Sequence, residues 1–217
     1  MIVNKLVLRK RAFALVAAAG LLFFQPSEPA TAQTAKAVKF NNEGVLDLNK
    51  KNFISAEDKF TKALKIDPTF KKARHNLELT YRSLGLQKMN DKPAEALKMF
   101  HKAWMLDFSN AKTRQNMDTI IRKMGKNPNA YADRVQLGDT ARRVGDFTGA
   151  IVEYSFALDI EDSAEAHEKL GDVYCIVDRC EKADKQYQIA LNKNRTPELE
   201  AKLQKARSCV SSNQTSK

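Results

Sequence analysis

The stretch LGDTARRVGDFTGAIVEYSFAL, residues 137–158, carries the pattern on which the fold turns. Its second half holds Ala150, Tyr154 and Ala157, and offsets of four and three put these three residues on one face of a helix. Two small side chains let a neighbouring helix come close, and the ring fills the gap between them. The same triplet recurs as Ala56-Phe60-Ala63, Ala96-Phe100-Ala103 and Ala183-Tyr187-Ala190. Gly44, Gly138 and Gly171 each lie twelve residues before the first Ala of their triplet, the last two as Leu137-Gly138 and Leu170-Gly171. A glycine inside a helix costs about 1 kcal/mol relative to alanine, which is tolerable where another group must approach the backbone.

These residues resemble the tetratricopeptide repeat, a helix-turn-helix unit with this Leu-Gly, Ala, aromatic, Ala and Pro pattern. The resemblance implies an all-α helical-repeat solenoid of four units, at 37–70, 71–110, 131–163 and 164–196. Departures are specific. The second unit has Glu78 where Gly is expected, and about six extra residues from Leu86 to Pro93, read as a longer loop. Only the first unit has its terminal Pro, Pro68; Phe108 and Asp162 stand in its place in the next two. The fourth replaces the loop Gly with Asp178 and the next aromatic with Cys180, changes expected to loosen that turn.

Two segments fall outside the units. Met117, Ile120, Ile121 and Met124 lie at helical spacing before Gly125 and the breaker Asn127-Pro128-Asn129. Leu199, Leu203, Ala206 and Val210 form a second such stripe after Pro197. Each reads as a solitary helix capping the open end of a two-unit stack. The expected organisation is two blocks, 37–126 and 129–210, with a flexible tail at 211–217. Continuous stacking and a hinge at Pro128 both fit.

The chain has 217 residues, 43% of them hydrophobic, with only 8 Gly, 6 Pro and 3 Cys. These values exclude collagenous and disulfide-stapled classes and favour helices. Lys5, Arg9, Lys10 and Arg11 precede an uncharged run from Ala12 to Phe24, and Ala30-Thr31-Ala32 before Gln33 fits a cleavage site. Residues 1–32 thus read as a secretory signal peptide, and the apolar run is shorter than the ~20 residues a spanning helix needs. The expectation is an exported protein, periplasmic or extracellular, with no transmembrane helix after cleavage.

The formal charge is +11 and its distribution is uneven. Residues 37–128 hold 19 Lys+Arg against 10 Asp+Glu, whereas residues 129–217 hold 13 against 15. In an exported protein this basic excess points to acidic proteins, cell-wall polymers or anionic membrane surfaces rather than nucleic acid. In the family resembled, the first helices of successive units line a concave groove that holds an extended peptide. That implies groove positions at Asn41, Asn49, Lys72, Asn76, Arg82, Lys112, Arg122 and Lys123 in the first block, where amides and cations would favour an acidic segment. In the second block it implies Asp139, Arg142, Glu168 and Asp172, a mixed to acidic set. The carboxylate clamp of some family members is not expected: Asn76 and Lys112 match it, while Asn41, Val45 and Asn116 depart.

No sequence motif points to catalysis. His75, His101 and His167 form no metal-ligand spacing, no phosphate-binding Gly-rich loop is present, and Gly-x-Ser-x-Gly is absent. The Asp and Glu residues of the repeat helices are expected to face solvent. No enzyme activity, metal or cofactor is expected. Cys175 and Cys180 are near enough across a turn for a disulfide, with Cys180–Cys209 competing and three free thiols also open. The sequence reads as a protein-binding scaffold for assembly of envelope or secreted proteins; an accessory subunit docking a separate enzyme is the competing reading.

Overall fold

The computed structural model describes residues 30–215. Among these residues every regular element is an α-helix: α1 (Ala30–Asn49), α2 (Phe53–Ile66), α3 (Lys71–Lys88), α4 (Pro93–Leu106), α5 (Ala111–Lys123), α6 (Tyr131–Arg143), α7 (Phe147–Ile160), α8 (Ala164–Ile176), α9 (Cys180–Lys193) and α10 (Pro197–Thr215). None of them is long and apolar enough to cross a membrane. The expected signal peptide lies almost wholly outside the described residues. The Ala30-Thr31-Ala32 motif forms the first turn of α1.

Four helical hairpins, α1/α2, α3/α4, α6/α7 and α8/α9, stack into the helix-turn-helix solenoid, each second helix packing on the first helix that follows it in chain order. All twelve triplet residues are buried. A methyl group placed on Gly138 would lie 2.5 Å from the Tyr154 ring. Gly44 stands in the same relation to Phe60, and Gly171 to Tyr187. Each ring thus lies against the bare backbone of its partner helix.

The second hairpin corrects the sequence reading. Gly85, not residue 78, faces Phe100. The extra residues do not form a long loop: they lengthen α3, which runs 18 residues to Lys88 and leaves only four before α4. Glu78 thereby falls on a buried face, described below. The Asp178 turn is no looser than its counterparts. Lys51, Gly145 and Asp178 occupy equivalent turn positions at φ of 60°, 74° and 57°. The next amide closes each turn, from Asn52 to Asp47 O at 2.9 Å, Asp146 to Ala141 O at 2.8 Å and Arg179 to Tyr174 O at 2.8 Å.

The two halves share a core. Met117, Ile120 and Ile121 of α5 are fully buried in one cluster with Phe100 of α4, Leu137 of α6, and Val152 and Phe156 of α7. Helix α5 therefore lies between the halves rather than over an open end. Helix α7 also packs directly on α4, so two second helices meet there. Pro128 is buried and its carbonyl accepts a hydrogen bond from Arg134 Nε at 2.8 Å, which holds the connection in place. At the far end, Leu199, Leu203 and Ala206 of α10 cover Ala183, Tyr187 and Ala190 of α9. Helix α10 continues to Thr215, through most of the stretch expected as a flexible tail.

Candidate functional site

The second half carries a charge ladder with a strict 33-residue period. Asp139 accepts from Tyr154 Oη at 2.6 Å and from Lys169 Nζ at 3.0 Å. One unit later, Asp172 accepts from Tyr187 Oη at 2.9 Å and from Lys202 Nζ at 2.8 Å. Lys202 also donates to Glu168 at 2.7 Å. Burial would raise the Asp139 carboxyl, but the Tyr154 and Lys169 hydrogen bonds hold it below its ordinary value. Burial, with Asp139 as acceptor, pushes the Tyr154 phenol up, and Tyr187 moves the same way. Three of the four second-half positions expected at a groove, Asp139, Glu168 and Asp172, are thus engaged by lysines of the helix two further on. Arg142 is exposed.

The first half is built differently. Asn41 is buried, and its side-chain oxygen accepts from Asn76 Nδ2 at 2.9 Å, an amide strut from α1 to α3. Glu78 is 1% exposed and accepts from Asn110 Nδ2 at 3.0 Å and Thr113 Oγ1 at 3.1 Å, with the Arg82 guanidinium at 3.5 Å. Asn41 and Arg82 therefore act within the fold. Lys123 donates to Asn90 at 2.7 Å, and Asn49 is exposed at the end of α1. Lys72, Lys112 and Arg122 are exposed and have no carboxylate partner among the described residues. Among the first-half positions expected to line a groove, these three cations are exposed without an ion pair.

The cysteines pair as Cys180–Cys209, with Cα atoms 5.9 Å apart, tying α9 to α10. Cys175 is free, which corrects the Cys175–Cys180 expectation. The Val177–Arg179 turn sends the two side chains to different neighbours: the Cys175 sulfur lies 3.6 Å from Tyr187 Oη, whereas Cys180 is buried toward α10. Asp178 joins Cys180 and Cys209 within 4.8 Å, the single such His/Cys/Asp/Glu group among the described residues. Both of its sulfurs are taken up by the disulfide.

Sequence reasoning missed a buried ionic chain between the halves. His101 Nε2 and Glu153 Oε1 are 2.6 Å apart, joining α4 to α7. Arg134 of α6 donates to Glu153 at 2.9 Å and to Asp118 of α5 at 2.8 Å. Arg134 and Glu153 are fully buried, against the expectation that repeat acids face solvent. The Arg134 guanidinium lies 4.6 Å from the centre of the Phe156 ring, and Arg114 lies 3.9 Å from the same ring. Burial would raise the Glu153 carboxyl, but His101 and Arg134 hold it below its ordinary value. The one signal in the sequence was Glu153 itself, a single charge within the apolar run from Ala150 to Ala157. Each member has a partner inside the junction, and His101 Nδ1 is left buried without one among the described residues.

No protein-family model matches the chain. No curated protein matches it either. Among solved structures, TTC0263, a thermophilic tetratricopeptide protein of Thermus thermophilus, is 20% identical, with 78% of this chain and 98% of that chain covered and a TM-score of 0.36. YrrB, described as a tetratricopeptide protein with an unusual peptide-binding site, is 20% identical over 82% of this chain and 98% of that one, at a TM-score of 0.34. A Pseudomonas aeruginosa pilF structure is 16% identical over 83% and 90%, at 0.31. The solenoid architecture rests on the helix pairs themselves.

Proposed function

We propose that this protein is an exported tetratricopeptide-type scaffold whose first half binds an acidic, extended segment of a partner protein. The observation that carries this reading is the set of exposed cations Lys72, Lys112 and Arg122, which lack internal carboxylates while the matching acids of the second half are answered by lysines. Stacked first helices hold such side chains at fixed spacing, so recognition comes from display on a rigid surface rather than from chemistry. Export is supported by the Cys180–Cys209 disulfide, a bond that persists in oxidising compartments. Cleavage after Ala32 is compatible with the fold, because Ala37 is the first buried side chain described.

The test is charge reversal. A dodecapeptide of alternating Glu and Gly is titrated into the wild type and into the Lys72→Glu, Lys112→Glu, Arg122→Glu triple variant. Three exposed pairs of up to about 1 kcal/mol each predict roughly ten- to hundredfold weaker binding at low salt. Wild-type affinity also falls as salt rises. An unchanged affinity in the triple variant removes the proposal. Export is checked separately by mass spectrometry of the native protein, which is expected to begin at Gln33.

A further inference from the structure

We propose a second docking site, on the opposite type of helix: the crevice where α4 meets α7 and the α8–α9 turn, shaped for a partner segment with one large apolar side chain beside a carboxylate. The cavity measures about 350 Å³, at the lower end of the range for ligand clefts and enough for one large side chain. Trp104, Ile151 and Phe156 line it, with the Trp104 and Phe156 rings 5.4 Å apart. Phe108 stands edge-on to Trp104 at 6.2 Å and is 61% exposed.

Neither aromatic is required by the repeat. Trp104 follows the last Ala of its triplet, where the other three units have Leu64, Leu158 and Leu191. Phe108 takes the place of Pro68 in a turn of the same construction. Asp67 accepts from the Thr69 amide and hydroxyl at 2.9 and 2.6 Å, and Asp107 accepts from those of Ser109 at 3.0 and 2.6 Å. An exposed ring has thus replaced an exposed proline without changing the turn, and it borders the crevice. The junction supplies the rest, because α4 and α7 are second helices in direct contact.

Charge complementarity defines the occupant. Arg179 and Lys182 line one side, with Lys182 Nζ 5.5 Å from the Tyr174 ring, and neither has an ion pair among the described residues. Asp159 is the one acid of the lining, so two cations outweigh it and a carboxylate fits. Adjacent apolar and acidic groups on one segment satisfy both parts.

Trp104 is the only tryptophan in the chain, so its emission reports on the crevice directly. The probes are nine-residue Gly/Ser peptides carrying a central Phe-Glu, Phe-Gln or Ala-Glu. Phe-Glu is expected to change the emission saturably, Phe-Gln to bind about fivefold more weakly as loss of one exposed ion pair allows, and Ala-Glu to leave it unmoved. Phe108→Pro restores the turn residue of the first unit, and Asp107 already has the extended backbone a following proline needs. That variant should keep its helical circular dichroism and lose the response, and Lys182→Glu should weaken Phe-Glu alone. Unmoved emission with Phe-Glu, or an unaltered response in Phe108→Pro, overturns the proposal. So does concentration-dependent dimerisation abolished by Phe108→Pro, which assigns the crevice to a second copy. Loss of the probe response only when residues 12–24 are present assigns it to that segment and overturns it equally.

Discussion

The two halves use the same glycine-and-ring hairpin and treat the charges on their first helices in opposite ways. Across α6, α8 and α10, Asp139 and Asp172 each meet a lysine of the next stacked helix, at a spacing that repeats every 33 residues. Between the first helices α1, α3 and α5 the side-chain bonds are amide to amide, or amide and hydroxyl to the buried Glu78, and Lys72, Lys112 and Arg122 stay in solvent. Surface charge on a repeat protein thus has two readings. A charge answered by its own neighbour is part of the scaffold, and one left without an internal partner is available to another molecule.

The largest expected effect lies where the halves meet. Arg134→Met leaves Glu153 buried with His101 alone, and loss of one partner from a buried pair costs about 3–5 kcal/mol. Chemical denaturation measures this, and loss of the Arg134 bonds to Glu153 and Asp118 should let the halves unfold in separate transitions. The same site sets an acid limit. Because the folded Glu153 carboxyl titrates below its ordinary 4.5, its pairing stabilises the protein above that pH and is lost as pH falls through the lower folded value. Glu153→Gln should flatten that part of the acid profile.

Gly138→Ala comes next. The added methyl would lie 2.5 Å from the Tyr154 ring, and overpacking of this kind costs about 1–3 kcal/mol, against a helix-propensity gain of up to about 1 kcal/mol. A net loss by thermal unfolding is the expected outcome. Asp172→Asn should then cost up to about 1 kcal/mol, since its pairs with Lys202 and Tyr187 are partly exposed, and the loss should shrink as salt rises. Smallest is a gain: Lys51→Gly relieves a lysine at φ 60° and should stabilise the first hairpin by about 1 kcal/mol.

Much of the fold was legible because its determinants are local. Ala-aromatic-Ala at offsets of four and three marks a packing face without knowledge of what packs on it, and the buried triplets follow. The displaced Gly85 escaped for a physical reason. Insertions usually enter loops, but here they extended α3 and shifted the glycine relative to the helix start. The ionic junction was hidden because Asp118, Arg134, His101 and Glu153 come from four helices, and their meeting depends on α4 touching α7. The cysteine pairing turned on which helix each sulfur faces, a property that sequence separation does not carry. At the positions expected to bind, residue types pointed to charge, while the structure distinguishes engaged acids from open cations.

The most direct measurement is an amide chemical-shift map of the protein titrated with the alternating Glu-Gly peptide. The predicted shifts concentrate in Lys71–Lys88 and Ala111–Lys123 around Lys72, Lys112 and Arg122, and diminish with added salt. Shifts centred instead on Tyr131–Arg143 and Ala164–Ile176, or an unperturbed spectrum at low salt, would contradict the division of roles between the two halves.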